Sequence, residues 1–261
     1  MHPVAAAGFA RAADVYERAR PSYPVEAVAW MAQRCALGAE STVVDVGAGT
    51  GKLTRLLPAI GARVVAIEPV AEMRAKLDAL GTGVEVVDGT AESIPLPDRS
   101  ATAITVAQAF HWFVHERALP ELHRVLAPGG YLVLFWNNRD LDDPVQRGVE
   151  ELLAPMRGSV ASQLGGVWRE PLARSPLFGA PETREFVYVQ QFTTDDLSDR
   201  VASTSFVAAL PEDERVSLLE RVRGLTRAIA EPFPFRYQTE VHVVPRSGDR
   251  DELERGTSIE G

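Results

Sequence analysis

The chain has 261 residues, of which 46% are hydrophobic and 24% charged, a composition typical of a globular protein built around one sizeable core. Its formal net charge of −9 argues against a nucleic-acid partner, because such binding depends on Lys and Arg neutralising phosphates. The single cysteine, Cys35, excludes an internal disulfide, and without a secretory pattern or a membrane-length apolar run the chain is predicted to be cytoplasmic, with no membrane partner and no metal.

The first half of the chain shows short apolar runs that alternate with helical patterns. The runs have the character of buried strands and lie at 42–46, 62–68, 84–87, 101–107 and 131–136. Helical spacing of apolar residues occurs between them, at 53–60, 71–80 and 116–126. Strands that are apolar on both faces and alternate with helices indicate a parallel sheet covered on both sides.

The second half of the chain is less regular. It predicts helices at 143–156, 194–203 and 211–229 and strands at 185–192 and 236–244. The stretch 140–181 is rich in Gly, Pro and Arg towards its end, and 247–261 has few apolar residues to bury. We therefore expect one domain over 1–246, with 140–181 as an insertion, followed by a mobile tail.

A glycine-rich turn at 45–52, with the sequence DVGAGTGK, joins the first predicted strand to the first predicted helix. Glycines there permit a sharp turn and a close approach of ligand to backbone. A phosphate-binding P-loop would need a glycine in place of Val46 and a hydroxyl residue in place of Leu53. The dinucleotide pattern would need its third glycine where Lys52 stands. With these two patterns excluded, the turn is described as an acidic residue followed by G-x-G-x-G.

Glu68 ends the second predicted strand, just before Pro69. A carboxylate at this position can accept both hydroxyls of a ribose. A dehydrogenase places an acid similarly, so Glu68 alone does not separate the two classes. The structural alternative is a solvated glutamate that caps the next helix.

These features resemble those of the class I S-adenosylmethionine-dependent methyltransferases. The likeness extends over 16–24, 86–96, 106–113 and 122–130, and in part it is similar to a small-molecule subgroup that includes trans-aconitate methyltransferase-like proteins. It implies an α/β fold: a doubly wound, seven-stranded, mostly parallel sheet whose last strand is antiparallel, with helices on both faces. The strands at 185–192 and 236–244 would complete the sheet, and 140–181 would form a partly helical cap over the substrate.

The resemblance also implies S-adenosyl-L-methionine as cofactor and a set of residues that bind it. These residues are Arg20, Asp45, Gly47, Ala48, Gly49, Gly51, Glu68, Pro69, Thr90, Ala91, Glu92, Ala107 and Gln108. Many relatives carry an aspartate at the position of Thr90, so this chain lacks that side chain for the adenine amine. Arg20 suits the methionine carboxylate because a guanidinium pairs with a carboxylate, although it could instead mark a solvated helix end.

The substrate would be bound by Tyr16, Tyr23, His111 and Trp112. Methyl transfer from a sulfonium depends mainly on holding the nucleophile and the methyl group close and collinear. A base is needed only for an acceptor that keeps its proton, such as a hydroxyl. His111 follows the fourth predicted strand and is the candidate base. Because only neutral imidazole can accept a proton, the reaction rate should fall as the pH drops through the histidine pKa. Its alternative role is to shape the pocket or to bond the backbone.

The residues favour a small-molecule acceptor and O-methylation, with N-, C- and S-methylation left open. A nucleic-acid methyltransferase acting on base amines typically carries Asn/Asp-Pro-Pro-Tyr/Phe after the fourth strand, where this chain has Gln108-Ala109-Phe110-His111. A non-catalytic protein that only binds the cofactor is the other alternative, because the motif indicates binding and not turnover.

Overall fold

The computed structural model describes residues 19–156, 166 and 168–248. Tyr16 and the rest of 16–18 at the start of the segment 16–24, and nearly all of the predicted tail at 247–261, lie outside the described residues. The described part contains one seven-stranded sheet, in the order β3-β2-β1-β4-β5-β7-β6. Its strands are β1 (Thr42–Val46), β2 (Arg63–Ile67), β3 (Glu85–Val87), β4 (Ala101–Ala107), β5 (Leu126–Arg139), β6 (Glu182–Phe192) and β7 (Phe233–Pro245).

The direction of the strands confirms the predicted fold class. Strands β1 to β5 pair in parallel, and β7 runs antiparallel to both of its neighbours, β5 and β6. The last strand is therefore the antiparallel one, as expected, and it lies between β5 and β6. The parallel half brings the carboxyl ends of β1, β2 and β4 to one edge, which is where open α/β sheets bind ligands.

Helices cover both faces of this sheet. They are α1 (Val25–Arg34), α2 (Ala71–Asp78), α3 (His115–Val125), α4 (Pro144–Leu153), α5 (Arg169–Arg174), α6 (Thr194–Ala202), α7 (Ser205–Ala208) and α8 (Glu212–Thr226). The segment predicted as a helix at 53–60 is a 3-10 helix over Thr54–Ile60. Pro58 has no amide to donate to the carbonyl of Thr54, which an α-helix would require, and Gly61 ends the segment at φ +83°.

Two apolar clusters occupy the two faces of the sheet, and β5 shows how the sequence divides between them. Leu132, Leu134 and Trp136 pack on one face with α3 and α5. The alternate residues Val133 and Phe135 pack on the other face with α1 and the 3-10 helix. Since successive side chains of a strand point to opposite faces, a strand that is apolar at every position has to be covered on both sides.

A third apolar cluster combines helices from two separate insertions. It joins α4, from the predicted insertion at 140–181, to α6 and α8, which lie between β6 and β7. Tyr237 and Phe235 of β7 form its floor against the sheet. The connection between β6 and β7 therefore supplies as much of this helical layer as the segment that the sequence singled out.

Each helix in the described part of the chain is too short or too polar to cross a bilayer. No group of three or more His, Cys, Asp or Glu side chains comes together there in a way that could hold a metal ion.

Candidate functional site

The glycine-rich turn lies at the carboxyl edge of the sheet, directly after β1. Gly47, Gly49 and Gly51 have φ of +70°, +59° and +86°, values that disfavour any side chain. A Cβ on Gly47 would come within 2.9 Å of the Cβ of Ala109, and one on Gly51 within 2.3 Å of Leu77 Cδ1. Because Gly47 has no side chain, the turn can lie close against Ala109 beside the cleft. Because Gly51 has none, the turn can pack on α2.

Two adjoining cavities open at this edge. The first has a volume of about 600 Å³ and is lined by Gly47, Gly49, Glu68, Pro69, Met73, Thr90, Ala91, Glu92, Ala107, Gln108, Ala109, Trp112 and Phe113. The second has a volume of about 460 Å³ and is lined by Arg20, Pro21, Tyr23, Gly47, Ala48, Gly49, Thr50, Lys52, Leu53, Ala107, Gln108, Asn137 and Arg200. Because four residues line both cavities, the two form one elongated site across the glycine turn.

Glu68 forms part of the first cavity and also holds the glycine turn. It is only 2% exposed; its Oε2 accepts from the amide of Gly49 at 2.8 Å and its Oε1 from the amide of Val70 at 2.9 Å. Burial raises the pKa of Glu68, and these two amides oppose the rise. Each carboxylate oxygen keeps a further lone pair, so the side chain can still accept ligand hydroxyls. Glu68 is not a solvated cap.

Asp45 lies beneath the turn and does not line either cavity. It is 1% exposed, and its two oxygens accept from Thr54 Oγ1 at 2.6 Å and Thr105 Oγ1 at 2.8 Å. Burial raises the pKa of Asp45 to about 6 against the effect of the two threonine hydroxyls. These contacts tie β1 to β4 and to the 3-10 helix. Direct contact between Asp45 and a cofactor stays a prediction.

Gln108 is a strained residue where the two cavities meet. Its φ is +55°, which is uncommon for a side chain of this size. The backbone amide donates to Phe135 O at 3.0 Å and Nε2 donates to Asn137 O at 3.2 Å, so β5 holds it in place. Asn137 is itself buried, with Nδ2 donating to Ser22 O and Oδ1 accepting from Thr239 Oγ1.

Cationic side chains characterise the second cavity. Arg20, Lys52 and Arg200 all line it. Arg20 Nη2 donates to the carbonyl oxygen of Ser203 at 3.0 Å, so the segment before α1 is tied to the end of α6. Tyr23, also in this wall, is 5% exposed and packs edge-on against Phe135.

His111 lies in a 3-10 turn after β4, between Trp112 and Trp136 with ring centroids at 4.7 and 5.5 Å. Burial, followed by the positive charges of Arg20 and His115, lowers the pKa of His111 to about 3. Its Nδ1 is shielded from water and has no hydrogen-bond partner. The imidazole is therefore neutral at physiological pH. His111 lines neither cavity, whereas its neighbour Trp112 lines the first.

The structure brings most of the predicted residues together. Among the predicted cofactor residues, all except Asp45 and Gly51 line one of the two cavities. The lining also includes residues that were not predicted from the sequence. Met73, whose thioether faces Gly49, and Phe113 line the first cavity. Asn137 of β5 and Arg200 of α6 line the second. No local motif marks these last two, because they reach the site only through the fold.

The side chains and backbone fit the implied cofactor. The first cavity offers a buried carboxylate, small residues and an apolar wall, as a nucleoside requires, and the second offers guanidinium groups, as a carboxylate requires. Thr50 Oγ1, buried within the glycine turn, has no hydrogen-bond partner. A polar group of the ligand would satisfy it.

Comparison with known proteins agrees with this fit. Residues 44–134 match a family described as "Methyltransferase domain". An uncharacterized methyltransferase of Mycobacterium tuberculosis is 40% identical over 219 residues, covering 83% of this chain and 84% of that protein. A demethylmenaquinone methyltransferase of Thermus thermophilus is 34% identical over 158 residues, covering 55% and 70% respectively. The structure is also similar to that of a putative type II methyltransferase from Anaeromyxobacter dehalogenans, with a TM-score of 0.63, 21% identity and coverage of 87% and 97%.

Proposed function

Because this chain belongs to the S-adenosylmethionine-dependent methyltransferases, we propose that it methylates an oxygen atom of a small molecule. S-adenosyl-L-methionine is its cofactor. The observation that carries the proposal is the second cavity, which Arg20 closes on one side by bonding Ser203 at the end of α6. A partly open cleft of this size suits a small acceptor, not a duplex. The Thermus relative, by its name, acts on demethylmenaquinone, itself a small molecule.

The cofactor would lie across the glycine turn and occupy parts of both cavities. Glu68 would accept the ribose hydroxyls, and Met73, Thr90, Ala91 and Glu92 would surround the adenine. Arg20 would bind the methionine carboxylate, with Gly47 and Gly49 beneath. This arrangement follows from the position of the carboxylate and the small residues in the first cavity and of the cations in the second.

When bound, S-adenosylmethionine supplies a methyl group on a sulfonium, so that an acceptor oxygen forms the new bond while the C–S electron pair returns to sulfur. The chain's own task is to hold the acceptor in line with that bond and to exclude water. Gln108 and Asn137 form a rigid wall of the cleft, because Gln108 is hydrogen-bonded to β5 and Asn137 to Thr239 of β7 and to Ser22 O.

His111 limits the choice of acceptor. A histidine whose pKa is about 3 stays neutral across the physiological range, but it is a weak base. If His111 serves as base, the acid limb of the rate profile lies well below the usual histidine pKa of about 6.5, contrary to the expectation from sequence. An acceptor that is already deprotonated would need no base, and His111 would then shape the pocket with Trp112 and Trp136.

Labelled S-adenosylmethionine would test the proposal. The protein and methyl-labelled cofactor are incubated with one of three candidate acceptors at a time. These are a low-molecular-weight metabolite fraction, total RNA and DNA fragments. We expect label to enter a small product only in the first incubation, and base-labile label would indicate an ester. Transfer to RNA or DNA would contradict the small-molecule acceptor. The cytoplasmic location and the trans-aconitate-like subgroup stay predictions.

A further inference from the structure

Arg200 lies on α6 (Thr194–Ala202) and faces inward, onto the sheet. The residue is only 9% exposed, and its side chain lines the second cavity. Its Nε donates to the hydroxyl of Tyr237 on β7 at 3.3 Å. Its Nη1 is shielded from water and has no hydrogen-bond acceptor. Tyr237 is itself fully buried, so the guanidinium is anchored at one end and unsatisfied at the other.

An unsatisfied guanidinium of this kind calls for an explanation. Arginine is almost never buried without a paired acid, and a buried N–H group left without an acceptor destabilises the fold. None of the described residues that line the second cavity is an Asp or a Glu. The acceptor for Arg200 would therefore come from a molecule in the cavity.

We propose that Arg200 binds an anionic group of the methyl acceptor, a carboxylate or a phosphate, and so determines which acceptors the enzyme takes. This inference rests on the proposed function of the same site. A planar guanidinium recognises either oxyanion through paired hydrogen bonds. Lys52 and Arg20 line the same cavity, and their charges add to the preference for an anion.

The position of Arg200 favours the acceptor over the cofactor. Tyr237, which accepts the hydrogen bond from Arg200, pairs with Arg139, the last residue of β5. Glu68 and Thr90 lie on the other side of β1, towards β2 and β3. Arg200 also belongs to the connection between β6 and β7, the part of the chain that covers the half of the sheet away from Glu68. The methionine carboxylate already has a candidate partner in Arg20.

The test uses the full chain saturated with S-adenosylhomocysteine and three variants. Arg200→Gln removes the charge and Arg200→Lys keeps it. Arg223→Gln is the matched control, because Arg223 lies on the neighbouring α8, is half exposed and pairs with Asp195 at the surface. Calorimetry measures the affinities for S-adenosylhomocysteine, for succinate and for inorganic phosphate. Succinamide and sodium chloride at matched ionic strength serve as the uncharged and the salt controls.

We expect wild type and Arg223→Gln to bind succinate or phosphate and to show no detectable binding of succinamide. Arg200→Gln should bind that anion roughly 10- to 100-fold more weakly, the loss typical of one charge-assisted bond, with unchanged affinity for S-adenosylhomocysteine. The anion affinity of Arg200→Lys should lie between those of wild type and Arg200→Gln. If Arg200→Gln fails to fold, Arg200→Lys alone is compared with wild type.

Three outcomes would overturn the inference. They are equal anion binding by wild type and the Arg200 variants, no anion binding by wild type, and a loss of S-adenosylhomocysteine affinity that equals the loss for the anion. The third outcome would assign Arg200 to the cofactor. Failure of the wild type to bind S-adenosylhomocysteine at all would contradict the cofactor site itself, and calorimetry without the anion reveals this separately.

Discussion

Glu68 supports two separate properties, the conformation of the glycine turn and the proposed bond to the ribose, and Glu68→Gln separates them. The substitution keeps the size of the side chain but turns one acceptor oxygen into an NH₂ group. That group would face the amide of either Gly49 or Val70, each now within 2.9 Å of a carboxylate oxygen. One buried backbone N–H therefore loses its acceptor.

The magnitude follows from these contacts. A buried donor left without a partner costs about 1–3 kcal/mol, and a hydrogen bond to a charged group contributes about 1.5–3 kcal/mol. We expect Glu68→Gln to lower the free energy of unfolding by about 1–3 kcal/mol. The amide oxygen could still accept one ribose hydroxyl, so the affinity for S-adenosylhomocysteine should fall by about 1.5–3 kcal/mol as the charge and the second acceptor disappear.

Two measurements on the same samples check this. Urea unfolding gives the stability of the protein without ligand, and calorimetry with S-adenosylhomocysteine gives the affinity at a temperature where the variant stays folded. Glu72→Gln is the matched control, because Glu72 is the second residue of α2 and is exposed. It should change neither the stability nor the affinity. A folded Glu68→Gln variant with wild-type affinity would refute the role of Glu68 in binding the ribose. Wild-type stability would refute its role in holding the turn.

Three further predictions follow from individual residues. Gly47→Ala and Gly81→Ala both place a side chain at a left-handed backbone angle, which costs about 1–2 kcal/mol of stability. Only Gly47 also has a neighbour in the way, the Cβ of Ala109, so Gly47→Ala should lose more stability than Gly81→Ala in urea unfolding. Because Gly47 and Ala109 line the first cavity, only Gly47→Ala should also lose affinity for S-adenosylhomocysteine in calorimetry, and equal affinities would argue against close approach of the cofactor to this turn. His111 has a folded pKa of about 3, below its unfolded value near 6.5, so its contribution to stability is present above pH 6.5 and is lost as the pH falls. Asp45, whose pKa burial raises to about 6, has the opposite effect over this range, so the test is the difference between two proteins: from pH 7 to pH 5, wild type should lose about 2 kcal/mol more stability than His111→Asn, as unfolding curves at both values would show. Hydrogen exchange should slow around Arg20 and along α6 when S-adenosylhomocysteine binds, because these segments meet over the second cavity; equal exchange in both states would contradict a closing role.

The parallel half of the fold could be read from the sequence because its signals are local. Residues 42–46 and 101–107 were predicted as strands with the bounds that β1 and β4 have in the structure. β5 is longer than predicted and extends over Leu126–Arg139. Pairing with β7, which is far away in the sequence, reaches from Tyr131 to Arg139. The extension at 137–139 therefore comes from a non-local partner, which no window of sequence around it contains, whereas the start of the strand at Leu126 pairs with Ala101 of β4.

The same distinction applies to the site. The glycine turn and the segment at 90–92 carry their signals in consecutive residues, and Gly47, Gly49 and residues 90–92 line the first cavity, where binding of the cofactor stays a prediction. Asn137 and Arg200 were missed because each is one polar residue in an otherwise ordinary strand or helix. Arg200 looks like any charged residue of an amphipathic helix until α6 is packed against β7, where its side chain turns out to be buried.

The two cavities therefore differ in what family membership says about them. The matched methyltransferase domain covers 44–134, which includes the glycine turn and every residue that lines the first cavity, Glu68 among them. Arg20, Asn137 and Arg200 of the second cavity lie outside that range. The matched domain thus contains the residues that we propose bind the adenosine part of the cofactor, whereas Arg200, which we propose binds the acceptor, lies outside it. The relative named for demethylmenaquinone therefore supports methyl transfer to a small molecule, whereas our proposal of an anionic acceptor rests on the positive charges of the second cavity.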